Sequence, residues 1–340
     1  ALGQLAMCAS TEGEANTAVG RLALAKNTTA DNNTAVGAQS LRCVTTNGDN
    51  TAVGTLALNK STASNSTAVG ACALRCNTTG TDNTAMGACA LNLNSSGAYN
   101  SAFGYRSLDS STSASSNTAV GFHSMCKTTT GANNTAVGFC SLQANTTGAS
   151  NVAVGYNSML TNTEGANNVA MGVLALEMNT TGDGNTAIGR EALEANQTAD
   201  NNTAVGLKAL EANTTGAQSV AVGVEALKTQ TTGNNNSAFG FCAMALNTTG
   251  TSNTAIGNFA LKTTDNGCKN TAVGYQSMFD ATSADCNVAL GAYSLSNNTT
   301  ADENTAIGTC SMLCNQTGAK NTAVGYNSLF NNVGDQNTAV

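Results

Sequence analysis

The side chains best suited to chemistry are twelve cysteines, an even number, spread along the 340 residues. Three pairs are spaced so that successive coils of a repeating fold would bring them together: Cys72 with Cys89, Cys268 with Cys286, and Cys126 with Cys140. Stacked Cα atoms lie ~5 Å apart, within the range that a disulfide spans. The spacing predicts three disulfides, with isolated thiols as the alternative. Because no C-x-x-C occurs, no metal site is predicted.

Catalytic groups are not apparent in the sequence. The single histidine, His123, stands in a variable position with no repeated acid or nucleophile near it, and a surface position is expected. Its surroundings, G-F-H-S-M, do not form a G-x-S-x-G elbow, and no phosphate-binding glycine loop follows a strand. The sequence therefore predicts a protein that is not an enzyme and that holds no cofactor.

Asparagines in N-x-[ST] triplets could accept glycans if the chain followed a eukaryotic secretory route. Otherwise these triplets only stabilise turns (turn chemistry), and the sequence leaves both interpretations open. The candidate glycosylation sites are Asn27, Asn77, Asn145, Asn179, Asn213 and Asn247.

Paired threonines in the same segments, such as Thr28 with Thr29 and Thr146 with Thr147, would stack into a ladder of hydroxyl groups. A flat threonine ladder could bind ice. This function is less favoured, because ice-facing threonines are expected two residues apart on a flat strand and these are adjacent in a turn.

The elements that position these groups follow from a glycine that recurs at a fixed interval. Between Gly3 and Gly325, eighteen of nineteen intervals are 17 residues, and the one from Gly54 to Gly70 is 16. The unit reads N-T-A-V-G-x-x-[A/S]-[L/M]-x-x-N-T-T-G-x-x. A unit this short cannot hold a helical hairpin, and β-branched residues beside Gly and Asn favour short strands.

Each column of the repeat varies to a different degree. Ala always stands two residues before the repeat glycine, a variable apolar residue such as Val36 or Met86 precedes the glycine, and Leu or Met stands four after it. We expect these columns, with the Ala or Ser three after glycine, to be buried. The columns one, two, five and six after it mix charged and polar residues, which predicts a wetted surface.

The repeat predicts an all-β fold, a parallel β-solenoid (β-roll) of about 20 coils that spans residues 1–340 as a single domain. Each coil would contain the strand T-A-V-G, a corner at the glycine, a second strand x-x-A-L and the N-T-T-G turn. Proline is absent because every coil would hydrogen-bond to its neighbours. Asn stands four before glycine in nearly every coil, with Ser66 and Ser219 as exceptions, which predicts a ladder of amides along the axis.

An invariant methyl group suggests close approach of backbones, so the alanine column is the predicted packing surface of a homotrimer. A tight interior corner within one chain is the alternative. The residues proposed for inter-chain packing are Ala18, Ala35, Ala119, Ala204 and Ala323.

The N-T-A-V-G unit followed by an A/S-L step resembles the head repeats of trimeric autotransporter adhesins, and equally the repeat shafts of phage and virus tail fibres. This resemblance covers the whole chain. It implies a left-handed β-roll with three chains side by side, exposed on a cell or virion surface and used for reach and attachment. The unit here is longer than in the adhesins, with the extra residues in the N-T-T-G turn, and no coiled-coil stalk or membrane anchor accompanies it.

These observations predict the structural shaft of an extracellular fibre on a cell or virion surface, self-associated as a homotrimer or filament. Because both ends fall inside a repeat, we expect a piece of a longer fibre. The net charge of −7 has no basic stripe, which excludes the usual nucleic-acid binder. The alternative function is a binding module for a host receptor or glycan that uses exposed aromatic residues after glycine: Tyr105, Phe122, Tyr156, Tyr275 and Tyr326.

Overall fold

Each repeat forms one short parallel strand that ends directly before the repeat glycine. The computed structural model describes all 340 residues, and none of them is helical. The chain divides into two compact units, Ala1–Asn168 and Val169–Val340. The strands of the first unit are β1 (Thr17–Val19), β2 (Thr34–Val36), β3 (Thr51–Val53), β4 (Thr67–Val69), β5 (Thr84–Met86), β6 (Ser101–Phe103), β7 (Thr118–Val120), β8 (Thr135–Val137) and β9 (Val152–Val154).

The second unit has the same organisation with eleven strands. They are β10 (Val169–Met171), β11 (Thr186–Ile188), β12 (Thr203–Val205), β13 (Val220–Val222), β14 (Ser237–Phe239), β15 (Thr254–Ile256), β16 (Thr271–Val273), β17 (Val288–Leu290), β18 (Thr305–Ile307), β19 (Thr322–Val324) and β20 (Thr338–Ala339).

Strands of successive coils pair in parallel and without any shift in register. Ala18 lies opposite Ala35, and Ala187 lies opposite Ala204. The parallel β-solenoid with a 17-residue repeat is therefore confirmed in each unit. Its handedness, its continuity as a single domain over residues 1–340 and the number of chains that associate stay predictions.

The core of each coil is a layer of small and branched apolar side chains. In every coil except those at the two ends of the chain, the alanine column, the Ala or Ser three after glycine and the Leu or Met four after glycine are buried, as in Ala35, Ser40 and Leu41. Burial of one leucine per coil is the main apolar contribution, because each fully buried leucine is worth about 1.5–3 kcal/mol. These three columns were predicted correctly.

The apolar column directly before glycine was predicted to be buried, and this is wrong. Val36, Met86 and Phe103 are 36%, 43% and 37% exposed. Successive side chains of a strand point to opposite faces. Because the alanine of each strand points inward, its neighbours on both sides point outward.

The alanine column is not an inter-chain surface. Ala18 is 1% exposed, and the other four residues proposed for inter-chain packing, Ala35, Ala119, Ala204 and Ala323, are 0% exposed within one chain. The alternative position inside the coil is the one observed. A methyl group is expected there because the position is fully enclosed, and close-packed protein interiors leave no room for a larger side chain.

The predicted second strand, x-x-A-L, is a pair of tight turns instead. In the coil that begins at Gly20, Leu22 and Leu24 have φ of 60° and 50°. The turns are closed by hydrogen bonds from the Ala23 amide to the Gly20 carbonyl and from the Asn27 amide to the Leu24 carbonyl, at 3.2 and 3.1 Å. Left-handed backbone at alternate residues keeps the chain turning, so it cannot extend into a strand.

The corner at the repeat glycine is as predicted, and only glycine fits there. Gly20 has φ of +129°, and a Cβ atom built on it would lie 2.6 Å from the carbonyl carbon of Gly37 in the next coil. The glycines of the N-T-T-G turn differ, because Gly13 and Gly80 have no positive φ. This agrees with the natural alanines at the same column, such as Ala30 and Ala199.

Truncation of one core leucine should destabilise the fold strongly. Leu142 is fully buried, and Leu142→Ala should lower the free energy of unfolding by about 2–5 kcal/mol through lost burial and a cavity. Leu142→Met is the matched control, because Met125 and Met159 occupy this column in the adjacent coils, and it should cost less than about 1.5 kcal/mol. Guanidinium unfolding followed by circular dichroism measures both, and equal effects would contradict the assignment of this column to the core.

Candidate functional surfaces

The outward face of the strands forms a regular surface in each unit, with one strand from every coil. Its two columns hold Thr, Ser or Val three before glycine and Val, Ile, Leu, Met or Phe one before glycine, with no charged residue in any coil. Exposed members include Val53, Val120, Val137, Ile188 and Ile256, at 36–43%. A parallel sheet repeats these groups every ~4.8 Å, so the face is regular and uncharged. Such a contiguous apolar surface is typical of an interaction site.

Four exposed aromatic side chains stack into a ladder on the surface of the first unit. Tyr105, Phe122, Phe139 and Tyr156 each follow a repeat glycine, and neighbouring ring centroids are 5.5, 5.1 and 5.4 Å apart with interplanar angles of 7–21°. His123 lies flat against Phe122 at 4.2 Å. Because the ring faces cover one another, mainly the edges are left for a partner.

Three of these four rings were predicted from the sequence to be exposed contact residues, and Phe139 was not. The signal was present, since residues 105, 122, 139 and 156 are 17 apart and occupy one column. The other two named aromatics lie elsewhere. Tyr275 makes an edge contact with Tyr293 at 5.4 Å, and Tyr326 is 75% exposed near the end of the second unit.

The predicted disulfides are not formed. All twelve cysteines are free thiols, including Cys72, Cys89, Cys126, Cys140, Cys268 and Cys286. Cys72 and Cys89 share the column two after glycine, as expected, and each is half-buried. The isolated thiols of the alternative interpretation are what the structure contains.

Alkylation should distinguish the thiols by burial. Burial raises the pKa of the Cys126 thiol, so less of it is thiolate at neutral pH than in an exposed cysteine. Cys126 should therefore react with iodoacetamide more slowly than the exposed Cys286 at pH 7, and its rate should keep rising as the pH approaches the raised pKa. Mass-spectrometric mapping of modified peptides measures both rates, and faster reaction of Cys126 would contradict the burial.

The candidate glycosylation sites lie inside the solenoid, so the folded chain favours turn chemistry over glycan attachment among the two interpretations that the sequence left open. All six asparagines are 0% exposed. The amide of Asn77 donates to the carbonyl of Gly80 at 2.8 Å, and that of Asn213 donates to Asn196 Oδ1 at 3.0 Å. The buried sites are Asn27, Asn77, Asn145, Asn179, Asn213 and Asn247.

Two buried columns thus hold asparagine in most coils, one before the strand and one at the turn. Other residues occupy the turn column at Val44, Ser61, Ser111, Thr128, Gln230, Thr264 and Ala281. The predicted ladder before the strand is confirmed: Asn33 Oδ1 accepts from the backbone amide of Asn50 at 3.1 Å and from its side-chain amide at 3.2 Å. In the second column, Asn94 Nδ2 donates to Asn77 Oδ1 at 3.0 Å. From the sequence, this second column was interpreted as turn chemistry or glycan acceptors, and its ladder of amides was not predicted.

The turn threonines are poorly placed for ice. The hydroxyls of Thr28, Thr78 and Thr146 donate to backbone carbonyls of the next coil at 3.1, 2.7 and 3.0 Å. These hydroxyls therefore link adjacent coils by hydrogen bonds. The outward-facing threonines lie instead on the strands.

A cluster of charges on the second unit is neutralised internally. Lys208 lies 2.8 Å from Glu191 and 2.7 Å from Glu211, and Arg190 lies 2.6 Å from Glu191. Hydrogen bonds from Lys208 lower the pKa of Glu191, so the carboxylate stays ionised. Glu194 completes a group of three carboxylates within 4.8 Å, but a cation there would have to displace the ammonium group of Lys208.

No stretch of helix long and apolar enough to cross a bilayer is present. Comparison with protein-family models gives no match. A search of curated proteins likewise finds no significant relative. The resemblance to adhesin heads and tail-fibre shafts therefore rests on the repeat and on the β-solenoid that it forms.

Proposed function

We propose that this chain is a structural shaft of an extracellular surface fibre, in which copies associate side by side through the outward strand face. The observation that carries the proposal is the absence of charge from two outward columns in every strand of both units. Surfaces exposed to water over this extent normally carry charged residues. The solenoid repeat supplies reach, and the uncharged face supplies lateral adhesion.

The dimensions of this face suit a specific interface. A strand three residues wide covers on the order of 50 Å², since strands are ~4.8 Å apart and residues rise ~3.3 Å. The nine strands of the first unit offer on the order of 450 Å² and the eleven of the second on the order of 550 Å², so an interface of the standard ~800 Å² per partner would draw on both units. A second copy of the chain is the partner with a matching axial repeat. The predicted trimer remains the preferred stoichiometry, now with a different contact surface.

Light scattering on the purified chain tests the proposal. The wild type should have a mass that is a small multiple of 33.9 kDa, and three times for the trimer. Val36→Lys with Val53→Lys should shift it to monomer, because an ammonium group buried between sheets is strongly unfavourable. The matched control, Ala38→Lys with Thr55→Lys, places the same charges two residues away on the wetted column and should leave the assembly intact. A monomeric wild type, or equal effects of both variants, contradicts the proposal.

Ice is a second candidate ligand for the same face. Strands β1 to β4 all read Thr-Ala-Val, which sets hydroxyl and methyl groups in a regular array. Bulky Met86 and Phe103 in the next two strands interrupt its flatness, which favours the fibre. Thermal hysteresis in the wild type that is lost in the Val36→Lys, Val53→Lys variant would support ice binding instead.

A further inference from the structure

A cavity of about 300 Å³ opens on the surface of the first unit, beside the aromatic ladder. It spans three successive coils, and its walls are polar: Arg106, Asp109, His123, Cys126, Lys127 and Gln143. Its volume is at the lower end of the range for small-molecule sites. In a fold built from repeats, this concentration of different functional groups is a local exception.

Asp109 supplies an unused hydrogen-bond acceptor in this cavity. The residue is 7% exposed, and its Oδ2 accepts from Arg106 Nε at 2.9 Å. Its other oxygen, Oδ1, is buried without any hydrogen-bond partner. A buried carboxylate oxygen left unpaired costs free energy, so a turn of the Asp109 side chain that brings this oxygen to a donor on a ligand would be favoured.

The cavity also carries an excess of positive charge. Arg106 and Asp109 neutralise each other, whereas Lys127 takes part in none of the ion pairs of the chain. An anionic group next to Lys127 would therefore be attracted, even though the chain as a whole carries a charge of −7.

The aromatic ladder fixes one wall of the cavity. His123 is held flat between its contacts with Phe122 at 4.2 Å and Tyr105 at 5.7 Å. Burial and the charge of Arg106 lower the pKa of His123, so the imidazole is neutral at pH 7 and offers one donor and one acceptor. Gln143 contributes an amide with both functions on the opposite coil.

We infer that this cavity binds an acidic sugar unit, with a ring hydroxyl donating to the Asp109 carboxylate and the sugar carboxylate beside Lys127. A sugar acid carries several hydroxyls close to a carboxylate. Its hydroxyls match the carboxylate of Asp109 and the side chains of His123 and Gln143, which both donate and accept, and its carboxylate matches the unpaired Lys127. This site is confined to three coils and does not depend on whether the chain forms a fibre. It differs from the predicted glycan surface, because the contacts are polar and not the aromatic faces.

Saturation-transfer NMR on the full chain, with glucuronic acid and methyl glucoside as probes, tests the inference. Glucuronic acid should bind more tightly than methyl glucoside. Asp109→Asn should weaken its binding about tenfold or more, since it removes the charged acceptor of a hydrogen bond. The variant should fold, because Asn59 and Asn92 occupy the same column in other coils.

Glu211→Gln is the matched control. The Lys208 and Glu211 pair occupies the same two columns as Arg106 and Asp109, but in a part of the second unit outside the cavity. The Glu211→Gln variant should bind glucuronic acid as tightly as the wild type does. The Lys127→Met variant should lose the preference for glucuronic acid over methyl glucoside. Absence of transfer to either sugar, tighter binding of methyl glucoside, or equal binding by Asp109→Asn and wild type would overturn the inference.

Discussion

Gly87→Ala should destabilise the first unit by at least about 3 kcal/mol, although it adds only a methyl group. Gly87 has φ of +141°, a conformation that residues with a Cβ rarely adopt, and the added atom would lie 2.6 Å from the carbonyl carbon of Gly104. The neighbouring coil is held by its own hydrogen bonds and cannot retreat without breaking the register. Guanidinium unfolding monitored by circular dichroism measures the loss.

The same substitution in the turn of the same coil is the matched control. Gly80→Ala introduces the residue that the natural sequence already has in this column at Ala30 and Ala114, so a methyl group is tolerated in the turn, although a Cβ on Gly80 would press against the carbonyl oxygen of Gly97. Gly80 does not have a positive φ. This variant should therefore lose clearly less stability than Gly87→Ala, because it adds no strain from a positive φ. If the two variants were equally stable, the corner would not be the constraint that fixes glycine in the repeat.

Asn100→Asp should be the most damaging single-atom exchange, costing about 3–5 kcal/mol at neutral pH. Asn100 is fully buried, and its Nδ2 donates to Ala114 O at 2.8 Å and to Asn83 Oδ1 at 3.2 Å. Replacing the amide by a carboxylate turns both attractive contacts into repulsion between oxygens. Chemical unfolding of the two proteins at pH 7 measures the difference.

The pH dependence of this variant has a defined sign. Burial without a cation raises the folded-state pKa of the new carboxyl above its unfolded value of about 3.9. The folded state then binds the extra proton, so the penalty is full above the raised pKa and shrinks as the pH falls towards the unfolded value. Asn100→Ser is the control, since Ser66 and Ser219 occupy this column naturally, and its smaller loss should not vary with pH. A pH-independent loss in the aspartate variant would contradict a buried ladder.

The sequence predicted the repeat architecture because the period and the invariant residues are direct consequences of stacking. The burial predicted for the column directly before glycine was wrong. Its residue in Thr-Ala-Val is apolar, and apolar residues are usually expected to be buried. The size variation from Val36 to Phe103 was in fact the sign of a position without packing constraints. Ala35 does not vary because it is enclosed.

Local propensity misled the interpretation of x-x-A-L as a second strand. Leucine at φ of 50°, as in Leu24, is intrinsically unfavourable and no propensity scale predicts it. Tertiary burial overrides the cost, since Leu24 is completely enclosed by the coils around it. The candidate cavity was equally out of reach, because Asp109, His123 and Lys127 come together only when three coils are stacked in register.

Every other conclusion depends on the stacking of successive seventeen-residue coils in register. Spin-label distances within the first unit test this stacking most directly. Labels attached to unnatural amino acids at Arg21, Ala88 and Phe139 would all lie in the column after the repeat glycine. Four and seven coil intervals separate the second and third sites from the first, so electron-spin resonance should give distances of ~19 and ~34 Å. Distances that do not grow in proportion to the number of coils would contradict the stacking, and with it the outward face and the cavity.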